Sequence, residues 1–358
     1  MIGAAERTCF ARVALNAREI LSRRYPKAYV ERHFEGPKSL EHGVQHGENV
    51  FALGLKICTL AGVKLSNEEV ETLALLAIIH DFCDDVNATV NQIFASGLQA
   101  PTILAKGLPP TLSAEVNHQF ERFIRTLSTR KSVREFHNYS GAGVAVELAR
   151  ELGWEGDRVE TVCHSVMFHG IRDLNLFREI PKHSWLLASL LYSGDKLAST
   201  GSKGMERFPL INVVRFGRFF YDAEIDLEFR RALMTTKELR PEQQEPAIRK
   251  TKPGFRFDCL QFMINHLFKD SLDPGSYPDP SLVVSYLNDE NVFSVSLNAF
   301  LGFAKEYHGT DHSRGDAFDG MKNLLLFALA SEKYVRFVDQ IRSGIAQVDS
   351  FVTDNQIS

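Results

Sequence analysis

Apolar residues recur at three- and four-residue steps along most of the chain, and strict two-residue alternation is scarce. That period belongs to helices rather than strands. It predicts a first helix over residues 4–24, ended by Pro26. A second covers 41–62, with Val50, Leu53 and Ile57 on one face. Ser66 followed by Glu69 is a capping-box pattern, in which each side chain answers the other's backbone N–H. It opens a third helix that runs to about residue 82. A helix from about 139 to Leu152 is stopped by Gly153. Two more run from near Asp157 to His169 and from near Ser184 to about Ser199. The predicted fold class is all-α.

Between these helices, residues 83–136 carry no strand punctuation and contain the turn Gly107-Leu108-Pro109-Pro110, so they read as a helical insertion. The polar, proline-bearing stretch 238–254 reads as a loop or linker, and 271–281 as another break. Helical patterns follow at 255–269, 286–307 and 317–346. The expected organisation is a first domain over 1–210, with 83–136 inserted, and a helical C-terminal extension over 211–358. No internal repeat of solenoid length is present.

Composition narrows the class. The 358 residues are 44% hydrophobic and 24% charged, as in an ordinary globular protein. Basic residues number 41 and acidic residues 45, a formal charge of −4. That gives no general drive toward nucleic acid or an anionic membrane. No apolar run approaches the roughly 18 to 20 residues of a membrane span. The N-terminal residues carry charges where a signal peptide has an apolar stretch. Five scattered cysteines, Cys9, Cys58, Cys83, Cys163 and Cys259, form no CxxC. That fits a reducing compartment rather than a disulfide scaffold. The expectation is a cytoplasmic protein; a homo-oligomer is compatible with it.

Most of the twelve histidines are isolated. His80-Asp81 differs, because the pair ends the apolar run LALLAII. Groups pointing from there into a bundle interior cost several kcal/mol unless paired or metal-bound. His46 lies four residues before Val50 and continues that buried face. His169 continues the stripe Val159, Val162, Val166, and Asp195 continues Leu187, Leu191. Any one of these is ordinarily a satisfied core residue. Together they offer ligands from four helices toward one interior, which is how bundles build metal sites. His164 is about 140° around its helix from His169 and faces elsewhere.

The order His46, His80-Asp81, His137, His169, Asp195 resembles the HD-domain superfamily of metal-dependent phosphohydrolases. The carriers are EHGVQHGENV, LALLAIIHDFCDD and LLYSGDKLASTGSKGMERF. Small bacterial HD hydrolases are the most similar subfamily, with Lys196, Gly201, Gly204 and Arg207 at matching places. FHNYSGAGVAVELARELG and SVMFHG resemble further segments of those proteins. The resemblance covers roughly residues 10–210 and does not extend over the C-terminal part.

The resemblance implies an HD-type helical bundle with His46, His80, Asp81 and Asp195 on a first metal. His137 and His169 then either complete a second metal site bridged by Asp81 or contact phosphate and a bound water. One or two divalent ions are implied, drawn from Mn²⁺, Fe²⁺, Co²⁺, Ni²⁺, Zn²⁺ or Mg²⁺. Such an ion activates water and polarises a phosphoryl oxygen, so the implied substrate is a nucleotide or another small phosphorylated metabolite. Asp84 either orients the attacking water or is an exposed helix-end acid. Lys196, directly after Asp195, is placed to pair with phosphate, and Arg207 either clamps phosphate through its planar fork or is a solvated surface residue. Two other readings stand beside hydrolysis. The same six-ligand order serves HD-fold diiron oxygenases, and an HD site can act as a ligand-sensing module without catalysis.

Overall fold

The computed structural model describes residues 3–35, 43–84, 137–170, 174–178, 180–198, 273–288 and 338–354, with a few isolated positions besides. All regular structure among these residues is helical. In chain order the elements are α1 (Ala4–Arg24), α2 (Lys27–Phe34), α3 (Val44–Ala61), α4 (Asn67–Ile79) and a 3-10 turn at Phe82–Asp84. After the insertion come α5 (His137–Glu151), α6 (Asp157–Phe168), the single turn α7 (Leu174–Phe177) and α8 (Lys182–Leu197). A 3-10 turn at Pro274–Ser276, α9 (Pro280–Leu287) and α10 (Val338–Asp354) follow.

The chain divides into two compact units. One comprises Met1–Ala198 with Tyr277–Val283, the other Ser199–Ser276 with Val284–Ser358. In the second unit, Ile341 and Val348 of α10 are buried, and Lys322 pairs with Asp349 at 2.5 Å.

The first unit is built around α4. This helix packs against α1, α3, α5, α6 and α8. Its residues from Thr72 to Ile79 are all buried, as expected of a helix that is apolar on every side. The capping box forms as the sequence predicts. The Glu69 N–H donates to Ser66 Oγ at 3.2 Å, and the Ser66 N–H donates to Glu69 Oε2 at 2.7 Å. The helix stop at Gly153 is also found: the glycine has φ +80°, and the Trp154 N–H reaches back to Ala149 O at 3.0 Å.

Two close helix crossings rely on glycine. A Cβ at Gly47 of α3 would lie 2.4 Å from the Ala77 carbonyl oxygen of α4. A Cβ at Gly194 of α8 would lie 2.8 Å from Val50 O of α3. Both glycines adjoin candidate ligands, His46 and Asp195.

Several boundaries differ from expectation. Pro26 ends α1, but α2 begins immediately after it, because proline starts helices as readily as it stops them. The eight residues KAYVERHF are too few and too mixed to announce a helix by period. The α4 helix ends at Ile79 rather than near 82, and the chain tightens into the 3-10 turn. On α3, Leu53 is only half-buried and Gly54 takes the inward position. The α5 helix starts at His137, two residues early. The α9 helix lies partly in the stretch 271–281 read as a break, and α10 runs beyond 346. The insertion from residue 85 to 136, the stretch 238–254 and the pattern at 255–269 lie outside the described residues. The described cysteines form no disulfide, and burial pushes the Cys58 thiol up to about 11 and the Cys163 thiol up to about 12. Among the described residues no helix is long and apolar enough to cross a membrane.

Candidate metal centre

Six side chains from five places in the fold converge. His46 comes from the first turn of α3, and His80 and Asp81 from the end of α4. His137 opens α5, His169 caps the end of α6, and Asp195 lies near the end of α8. They fall into two groups that share Asp81.

The first group holds His46, His80, Asp81 and Asp195, with ligand atoms all within 4.8 Å of one another. Asp81 Oδ2 lies 3.3 Å from His80 Nε2 and 3.7 Å from His46 Nε2. Asp195 Oδ1 lies 3.0 Å from His46 Nε2 and 3.6 Å from His80 Nε2. The second group uses the other oxygen of Asp81. Asp81 Oδ1 is 3.5 Å from His137 Nε2 and 3.6 Å from His169 Nε2. The two imidazole nitrogens are themselves 3.1 Å apart.

Backbone carbonyls set the direction of two rings. His80 Nδ1–H donates to Ala77 O at 2.9 Å, and His169 Nδ1–H donates to Val166 O at 2.5 Å. Both histidines are C-caps, and each ring folds back onto the carbonyl three residues earlier, one of the orphans at a helix end. A carbonyl only accepts, so Nδ1 carries the proton, and a neutral ring presents its Nε2 lone pair inward. Histidine ligands are commonly oriented this way.

The cluster calls for positive charge. His80 Nε2 is buried and makes no hydrogen bond, although carboxylate oxygens face it. Burial disfavours the His80 imidazolium, but Asp81 and Asp195 outweigh burial and raise its pKa to about 10. Burial likewise opposes ionisation of Asp195, yet His46 and His80 hold its carboxyl well below the usual range. Burial, set against the bond to Asp81 and reinforced by His137 and His80, lowers His169. Without an ion, protons hold these groups together: the His46 ring lies within hydrogen-bond distance of Asp195 Oδ1, and the two carboxylates favour a protonated His80. A divalent cation satisfies them together, so the donor set fits a metal ion.

Exposure is graded. His46 and His80 are at most 1% exposed, whereas His137 is 19% and Asp195 29% exposed. His137 and Asp195 are thus the more exposed of these candidate ligands.

Of the other residues singled out in the sequence, Lys196 is half-buried and belongs to neither group. Its Nζ lies 5.6 Å from the Tyr192 ring centroid and 5.3 Å from that of Tyr277. Asp84 closes the 3-10 turn, so the continuing α-helix that would stack it over Asp81 is absent; its side chain lies outside the described residues, as does Arg207. His164 is in neither group and instead bonds Ser184 Oγ at 3.0 Å.

Sequence reasoning missed Asn138, whose Nδ2 donates to Met167 O at 2.6 Å. That bond ties the first turn of α5, which carries His137, to the last turn of α6, just before His169. Only its place beside His137 marks it in the sequence. The orienting carbonyls of Ala77 and Val166 were foreshadowed only by a histidine ending each apolar run. Compared with family models, curated proteins and solved structures, the chain matches none of them.

Proposed function

We propose that this protein is a metal-dependent phosphohydrolase of the HD type, acting on a nucleotide or another small phosphorylated metabolite through a two-ion centre. The observation that carries the reading is the division of Asp81. One carboxylate oxygen faces His46 and His80, the other faces His137 and His169. A carboxylate so placed is suited to bridge two cations. His46, His80 and Asp195 would complete one coordination set, and His137 and His169 the other. Mn²⁺, Fe²⁺, Co²⁺, Ni²⁺, Zn²⁺ and Mg²⁺ all accept such ligands in varying degree.

When bound, divalent ions supply Lewis acidity toward a phosphoryl oxygen and lower the pKa of an attacking water. The chain contributes the rest. Its buried histidines fix the ligand directions through carbonyl bonds, which lowers the reorganisation needed during reaction. The rim formed by His137 and Asp195 is where substrate approaches. Lys196 follows Asp195 directly and carries a cation that suits a phosphate oxygen. The same six ligands suit a diiron oxygenase, and Lys196 would serve a phosphonate there as well.

The test is a hydrolysis screen across nucleotides and sugar phosphates. Protein is stripped, reloaded with each candidate ion, and compared with Asp81→Asn. Phosphate or pyrophosphate release that disappears in the variant supports the proposal. Dioxygen consumption by iron-loaded protein without phosphate release replaces it with the oxygenase. Tight ligand binding with neither reaction replaces it with a sensing role.

A further inference from the structure

The His80-Asp81 pair is gripped from behind by α2. His33 Nε2–H donates to Ile78 O at 2.8 Å, and the Tyr29 hydroxyl donates to Phe82 O. These two carbonyls flank the pair. All four groups are buried, so water does not readily replace either donor. Around Phe82, the rings of Tyr25, Tyr29 and His33 stand edge-on, with centroids at 5.4, 4.9 and 5.0 Å. Tyr29 and His33 stand one turn apart on one face of α2, and Tyr25, the extended C-cap of α1, brings the third ring. Together they hold the residue that immediately follows Asp81.

The end of α4 needs such donors. Leu76 O takes the His80 N–H, and Ala77 O takes the His80 ring. Ile78 O is the next carbonyl along, and His33 supplies its partner. The backbone from Ile78 to Phe82 is thereby fixed at both ends while its middle presents two ligands.

We propose that His33 and Tyr29 are positioning residues that set the tilt of the Asp81 carboxylate between the two groups. This rests on the two-ion reading above. The two groups differ in their dependence on Asp81. The first keeps His46, His80 and Asp195 if the carboxylate rotates. The second keeps only His137 and His169. A loosened Asp81 therefore weakens the second ion before the first.

The experiment is Mn²⁺ titration of the full chain by calorimetry and electron paramagnetic resonance. It compares the parent with Tyr29→Phe, His33→Ala and His33→Gln, with circular dichroism on each. Tyr29→Phe removes one oxygen and keeps the ring packing, so it carries the test even where His33→Ala fails to fold. The expected result is two ions on the parent. The second is weakened at least tenfold in Tyr29→Phe and His33→Ala, while the first stays within about threefold. His33→Gln, whose amide N–H reaches similarly far, restores the second ion. Folded variants that bind both ions like the parent overturn the proposal, and so does a loss that follows thermal stability alone without rescue by glutamine. A parent that takes fewer than two ions overturns the two-ion reading itself, before any variant is compared, and this proposal with it.

Discussion

His137 Nε2 and His169 Nε2 face each other across 3.1 Å. The His169 ring donates its Nδ1 proton to Val166 O, so in a neutral ring the facing nitrogen carries a lone pair. His137 can meet that lone pair with its own Nε2–H, or both nitrogens can turn lone pairs toward a cation. On the metal reading, His137→Ala removes one of three donors from the second group and none from the first. The parent is expected to hold two ions and the variant one, measured by elemental analysis after dialysis. Loss of both ions, or of neither, would sink this division of ligands.

Gly47→Ala tests the helix crossing that brings His46 to the centre. The new Cβ would sit 2.4 Å from the Ala77 carbonyl oxygen, which is backbone and cannot swing away. Overpacking of this kind costs about 1–3 kcal/mol. The denaturation midpoint should fall, and affinity at the first group should fall with it, since α3 and α4 must separate. A variant as stable as the parent would show that the two helices do not cross this closely.

Lys196→Met should leave metal content unchanged, because the ammonium belongs to neither ligand group. If it pairs with phosphate in the transition state, its loss removes a charge-assisted hydrogen bond and lowers kcat/KM about 10- to 100-fold. Steady-state kinetics on whichever phosphorylated substrate the screen reveals decides this. An unchanged kcat/KM assigns the lysine to packing against Tyr192 and Tyr277.

His164 gives a pH dependence separate from the metal. Burial, with a smaller contribution from His183, lowers its pKa from 6.5 to about 4. The unfolded chain therefore binds a proton between those values that the folded chain refuses. Stability from this group is full above pH 6.5 and is lost as pH falls toward 4, by on the order of 3 kcal/mol. His164→Asn can keep the bond to Ser184 without titrating. Its unfolding free energy should decline less steeply than the parent's over that range in denaturant titrations. Parallel pH profiles would refute the assignment.

His46, His169 and Asp195 were legible because each continues an apolar stripe, and His80-Asp81 because it ends an apolar run; His137 entered only through the resemblance. His46 precedes Val50 by a turn, and His169 extends Val159, Val162 and Val166, so periodicity alone turned them inward. The capping box at Ser66 and the stop at Gly153 were legible because they are local. The α2 helix was not, since its burial depends on contact with Phe82, which lies about fifty residues away in sequence. The split of Asp81 between two groups was equally invisible: no pattern of residue types says which oxygen faces which histidine. Gly47 and Gly194 read as unremarkable helix interruptions until their neighbours are known. Asn138 had no periodic signal at all.

The six candidate ligands lie between residue 46 and residue 195, on elements separated by long stretches of chain. An ion bound to them is a cross-link, tying α3, α5 and α8 to the ends of α4 and α6 without a covalent bond. Whatever binds the folded state alone stabilises it by mass action, about 2.7 kcal/mol at a hundredfold excess over Kd. Metal starvation would then loosen the bundle as well as empty the site. Resistance to proteolysis in the presence and absence of a chelator would report on the same six side chains with no substrate in hand.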